Sequence, residues 1–174
     1  MKERTGDMST WRKRASRAAL VGVGATATMD LGAEAIRRTT GAPPLDYGLV
    51  GRWIGHMPHG QFTHDSIGAA APVREEKKLG LVAHYSIGIG FASLLLTCHP
   101  RWAERPTLGP AMATGLGSSI APFVLMQPAF GMGLAASKTP NPTINRLRSI
   151  RAHAIYGMGL YLSGQALARF SGRR

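Results

Sequence analysis

Charge is absent from this chain over lengths that only a few kinds of fold tolerate. Leu79–Pro100 runs 22 residues without Asp, Glu, Lys or Arg, and Pro106–Ser137 runs 32. Ala152–Ala168 adds 17 more, and Ala18–Ile36 is a stretch of 19 broken only by Asp30 and Glu34. A hydrocarbon core of about 30 Å is crossed by about 20 apolar residues rising 1.5 Å each. A soluble helix shows a charged face at the 3.6-residue period, and the second and third runs have none. The pattern predicts an all-α, polytopic membrane helical bundle with about four transmembrane helices, near 18–36, 79–98, 106–136 and 150–168. Residues 1–17 then form a basic, mobile leader, 18–168 a single membrane domain, and 169–174 a basic tail.

Composition narrows the class further. The net charge is +12, but 44% of residues are hydrophobic and only 17% charged, so the chain is not a disordered basic tail. A soluble nucleic-acid binder would fit the charge but not its segregation, so no nucleic-acid partner is expected. The implied partner is the lipid bilayer, with a second copy or a larger membrane protein as further candidates. One cysteine, Cys98, excludes an intrachain disulfide framework and a cysteine-based zinc site.

The flanks fit the same reading. Trp11, Trp53 and Trp102 fall outside the spans, at the expected interfaces. Basic residues divide almost evenly between the two sides, and the Arg12–Arg17 cluster decides for cytoplasmic termini in a bacterial inner membrane. The loop 37–79 opens with Gly41, Ala42, Pro43 and Pro44, which should stop the first helix. Asp46 can cap a short interfacial helix reaching about His56. Asn141 and Pro142 supply an N-cap and a first helical position for the last helix. The third run would make a straight helix of about 46 Å, too long for the core, so a kink is expected near Pro122 or Pro128.

Gly22, Gly24 and Ala27 match a dinucleotide-binding fingerprint, but no strand precedes them. The same spacing recurs at Gly88, Gly90, Ser93 and at Gly131, Gly133, Ala136. Small residues in membrane helices let backbones approach, so packing is the better explanation. Ala18, Gly22, Thr26, Asp30 and Glu34 share one face of the first helix; Gly80, His84, Gly88 and Ala92 share one of the second; Ser149, His153 and Gly157 share one of the last. Those faces should point into the bundle.

Depth draws the ionisable residues together. Asp30, His84 and His153 fall on the same side of the bilayer centre, as do Gln127 and the loop carrying His56, His59, His64 and Asp65. A buried Asp costs about 2.5–3.5 kcal/mol on insertion scales, which makes such residues functional candidates. Three readings compete. The groups satisfy one another structurally. Or His84, His153 and Asp30 hold a metal ion, or the two imidazoles a haem, although no tight His-x-x-x-His spacing exists. Or Asp30 and His84 exchange protons on a path for a proton or small solute. His59 is a solvated loop histidine on this reading.

The stretches Gly22–Asp30, Gly51–Met57, Phe62–His64, Leu79–Tyr85, Met126–Pro128 and Arg146–His153 resemble a family of small bacterial membrane proteins that share a domain of unknown function. The resemblance covers about residues 20 to 165. It implies an integral membrane protein with about four helices and no established activity. Asp30, His56, His64, His84, Gln127 and His153 stand at positions matching the family pattern; Glu34 and His59 do not obviously match it. The function expected is binding or translocation of a proton, metal ion or small solute at this Asp/His cluster. The alternatives are a non-catalytic membrane subunit and a haem-binding redox component. The reading leans against an enzyme.

Overall fold

The computed structural model describes residues 3–42 and 46–171, with side chains from Trp11 to Phe170. Pro43 and Pro44, and residues 172–174 of the tail, lie outside the described residues. All regular structure among those described is helical. The principal helices are α1 (Glu3–Thr40), α2 (Tyr47–His56), α3 (Glu76–Cys98), α4 (Leu108–Gly117) and α5 (Pro142–Ser171). Three segments are long and apolar enough to cross a membrane: Trp11–Thr40, Glu76–Cys98 and Leu108–Ala129. Helix α5 is long enough but is not among them; it carries four arginines along with His153, Ser163 and Gln165.

Several boundaries differ from the sequence-based expectation, each for a local reason. Helix α1 runs on through the leader from Glu3 and ends at Thr40, where Gly41 takes a positive φ of 67° and lets Gly41 N–H close on the Arg37 carbonyl. The third span breaks at its prolines, as expected, but ends at Ala129 rather than near residue 136. After α4 the chain passes through a π-helical turn, Ala121–Met126, that holds Pro122, then a last turn, Gln127–Ala129, that holds Pro128. A proline cannot donate the next helical bond, and a π-turn absorbs the misfit. Gly131 and Gly133, at φ 84° and 74°, then turn the chain back. Helix α5, by contrast, begins at Pro142, the first helical position expected from Asn141 and Pro142 and eight residues ahead of the proposed span.

Small residues set the packing. A Cβ on Gly22 would stand 2.6 Å from the Ile89 Cα, so α1 and α3 touch backbone to backbone there. One turn on, Thr26 lies against Gly88. Gly51 of α2 and Gly80 of α3 cross so closely that a Cβ on either would strike the other helix's carbonyl groups. Gly115 of α4 meets Gly157 of α5 in the same way. Val21, Ala25, Ala92, Leu95, Tyr156 and Leu160 fill the centre. Large apolar side chains also cover the outside, with Leu31 71%, Val82 64% and Ile120 60% exposed. In water such a surface would be an association hazard, whereas against lipid it is the ordinary solution.

Two tryptophans expected at the interfaces are buried in protein. Trp53 donates to the Phe62 carbonyl (2.8 Å) and packs edge-on to Phe130; Trp102 donates to the Thr107 carbonyl (2.9 Å). Each indole finds its hydrogen-bond partner in the chain and not in lipid headgroups.

Candidate functional site

The antiparallel register of α1 and α3 follows from their glycine contact. Thr26 opposite Gly88 puts Asp30, one turn later, opposite His84, one turn earlier. His84 Nε2 stands 3.0 Å from Asp30 Oδ1, and the Tyr85 hydroxyl donates to Oδ2 at 3.0 Å. Helix α2 adds a third partner. Its N-cap, Asp46, accepts from Gly48 N–H (2.9 Å), and the Gly51–Gly80 crossing holds Tyr47 over α3. The Tyr47 hydroxyl donates to Asp30 Oδ1, and its ring lies 4.6 Å from that of His84, tilted by 30°. Two hydroxyls and an imidazole N–H thus converge on one carboxylate, which can accept from all three. Burial, and then the bond to Asp30, hold the Tyr47 phenol above the ordinary tyrosine range.

Asp30 stands beside a cavity of about 410 Å³ walled by α1, α2, α3, α5 and the proline-bearing turns that follow α4. His84 and Tyr47 line it, as do His153, Ser118, Gln127 and Ser149. His153 Nδ1 lies 2.7 Å from Ser118 Oγ, which in turn donates to the Gly115 carbonyl (2.6 Å). With the serine proton so placed, Nδ1–H donates to Ser118 and Nε2 is left to accept. Gln127 is 8% exposed, and its Nε2 reaches Ser149 Oγ only at 3.4 Å. Its Oε1 is buried without a partner. The remaining wall is largely apolar, from Met29, Ile87, Phe91 and Ile155 among others.

His56 and His64 are brought together, but apart from the rest. His56 Nδ1 and His64 Nε2 are 2.8 Å apart. They sit at the far end of α2 from Tyr47, about 13 Å along the helix axis, and neither lines the cavity. His64 is pinned by its backbone N–H on the Ala129 carbonyl (2.8 Å). His59 is exposed, and Glu34 pairs with Arg37 and Arg38 on the outer surface. Of the six candidates, Asp30 and His84 therefore touch, His153 and Gln127 line the same cavity as His84, and the loop pair stands elsewhere. Among the described residues no three His, Cys, Asp or Glu side chains are close enough to hold a metal ion together. Asp30 binds the His84 ring through Nε2, an orienting position.

Residues 19–167 match the family described as a protein of unknown function, DUF2938. The chain belongs to that family. No curated protein and no solved structure matches it. The DUF2938 region includes Asp30, His84, Gln127 and His153 together with every residue that lines the cavity.

Sequence reasoning missed Tyr47, Tyr85 and Ser118 as site residues, and placed Ser149 only on the inward face of the last helix. Tyr85 adjoins His84 and Tyr47 follows the Asp46 cap, so position alone gave a hint in two cases. It also missed the half-buried pair of Arg52 and Glu76. Arg52 Nε and Nη2 reach the two Glu76 carboxylate oxygens at 2.9 and 2.8 Å, and Nη1 holds the carbonyls of Ile67, Gly68 and Ala70 at 3.1–3.2 Å.

Proposed function

We propose that this chain is a multi-pass protein of the bacterial inner membrane that binds a small solute inside its bundle. The solute site is the cavity between the Asp30–His84 pair and His153. One observation carries the reading: the Gln127 Oε1, buried and unpaired in the wall of that cavity. A buried polar atom without a partner costs about 1–3 kcal/mol, and a solute that meets it recovers that cost. A half-turn of the amide presents nitrogen in place of oxygen, so Gln127 serves a donor or an acceptor. Asp30 orients His84 through Nε2 and leaves Nδ1 as the ring atom available to a solute. A pocket of this volume falls in the usual range for small-molecule sites, about 300–1,000 Å³. In this reading α5 is the fourth crossing, and its polar residues are tolerated because they face protein and cavity. Both termini are cytoplasmic, so a reporter fused after residue 60 reads as periplasmic.

Native mass spectrometry of protein extracted from its own membrane in mild detergent tests the solute site. The wild type is expected to carry a non-covalent small molecule. Ala121→Trp, which fills the cavity, is expected to stay monodisperse and helical and to lose it. A wild type that carries none, or an equal adduct in the filled variant, overturns the reading.

A further inference from the structure

The mouth of the cavity has a charge that its interior lacks. Arg148 and Arg151 are exposed, yet both line the cavity, which places them at its rim. Among the described residues neither has a carboxylate within 4.0 Å. Asp46 lies on the same rim, and its Oδ1 is used by the Gly48 N–H. Asp30, the other nearby acid, is taken up by Tyr47, Tyr85 and His84. Beyond the arginines the wall turns apolar, with His153, Ser149 and Gln127 just inside. Arg151 also marks the point where α5 passes from its basic N-terminal third into the charge-free run 152–168. The rim is therefore at the level of headgroups and the apolar wall at the level of acyl chains.

We propose that the cavity takes a single-chain amphiphile with an anionic head, held by Arg148 and Arg151 at the rim, with its chain among Met29, Ile87, Phe91 and Ile155. The proposal rests on the solute site described above and specifies what fills it. Guanidinium groups match carboxylate and phosphate oxygens in a planar fork, and their hold on an anion strengthens where water is thin. The unpaired Gln127 amide, one layer inside, meets a polar atom of the same head.

The test is equilibrium binding of radiolabelled palmitate to the full chain in uncharged detergent, at about pH 8, where the carboxyl is ionised. Saturable binding of one molecule per chain is expected. The double variant Arg148→Gln, Arg151→Gln should weaken it about tenfold or more while remaining monodisperse. Hexadecanol, with the same chain and no charge, should bind the wild type and that variant alike. Ala121→Trp should abolish palmitate binding. Palmitate bound equally by the double variant, or hexadecanol bound as tightly as palmitate, overturns the anionic head and leaves the solute site standing. Palmitate retained by Ala121→Trp places binding outside the cavity and overturns the proposal. Inorganic phosphate that displaces palmitate at equal concentration overturns the role of the chain. Competition by lyso-phosphatidylglycerol, with none from oleate, supports a lipid-derived phosphate head; the reverse supports a free carboxylic acid.

Discussion

Asp30 is the point at which three helices exchange hydrogen bonds, and removing its carboxylate has a calculable cost. Asp30→Ala leaves the Tyr47 and Tyr85 hydroxyls and His84 Nε2 without their common acceptor. Interhelical hydrogen bonds in membrane proteins average about 0.6 kcal/mol, with a maximum of about 1.7. Three of them give an expected loss of about 2 kcal/mol and a ceiling near 5. Asp30→Asn should cost less, because its single carbonyl oxygen can still accept from Tyr47 and His84 while its amide cannot accept from Tyr85. Reversible unfolding in mixed micelles, titrated with a denaturing detergent, measures these differences. Tyr47→Phe should cost about 0.6 kcal/mol in the wild type and almost nothing in the Asp30→Ala background, because its partner is already gone. If Asp30→Ala unfolds within about 0.5 kcal/mol of the wild type, and Tyr47→Phe costs the same in both backgrounds, the carboxylate is not the hub.

Gly80→Ala sets a methyl group against the Tyr47 carbonyl and should lower stability by about 1–3 kcal/mol. Gly90→Ala, where the new Cβ meets nothing within 4 Å, should leave the melting temperature unchanged or raise it, which serves as its control. Arg52→Ala frees the carbonyls of Ile67, Gly68 and Ala70, so limited proteolysis should cut within 66–72 in the variant well before the wild type. Tyr47 keeps its proton above the ordinary tyrosine pKa of 10.0, so the folded chain binds more protons in alkali than the unfolded chain. Its contribution to stability is complete below about pH 10 and declines above it, and Tyr47→Phe should flatten part of that decline in a melting series across pH.

The fold was legible where long-range order in charge carried it. The charge-free runs located α3 to within three residues at its start, and Asn141 with Pro142 marked the beginning of α5. Asp30 and His84 shared faces with glycines, and helix geometry then brought them opposite one another. The third span was not legible in detail. Prolines announce a break, but whether Pro122 kinks a helix or widens it into a π-turn depends on the packing around it. Shared depth also proved too coarse for the loop histidines. His56 and His64 meet each other, but α2 carries them away from Asp30, and only its crossing over Gly80 fixes that direction. Ser118 carried no signal and Tyr47 only its place after the Asp46 cap, because serine and tyrosine become distinctive only once a neighbour needs their hydroxyls. Trp53 and Trp102 misled for the converse reason: an indole near a span end satisfies its N–H equally well on a loop carbonyl as on a headgroup.

Thiol accessibility in native vesicles tests the intramembrane solute site most directly. In a background with Cys98→Ser, single cysteines replace Ala152, in the cavity wall, and Leu94, 53% exposed on the outer surface of the bundle. A small, water-soluble thiol reagent should label Ala152→Cys and leave Leu94→Cys unlabelled, since only the cavity joins the aqueous rim to the interior of the bundle. Saturating palmitate should then suppress labelling at residue 152. Equal labelling at both positions, or none at residue 152 with or without palmitate, would contradict a solute-accessible cavity inside the membrane.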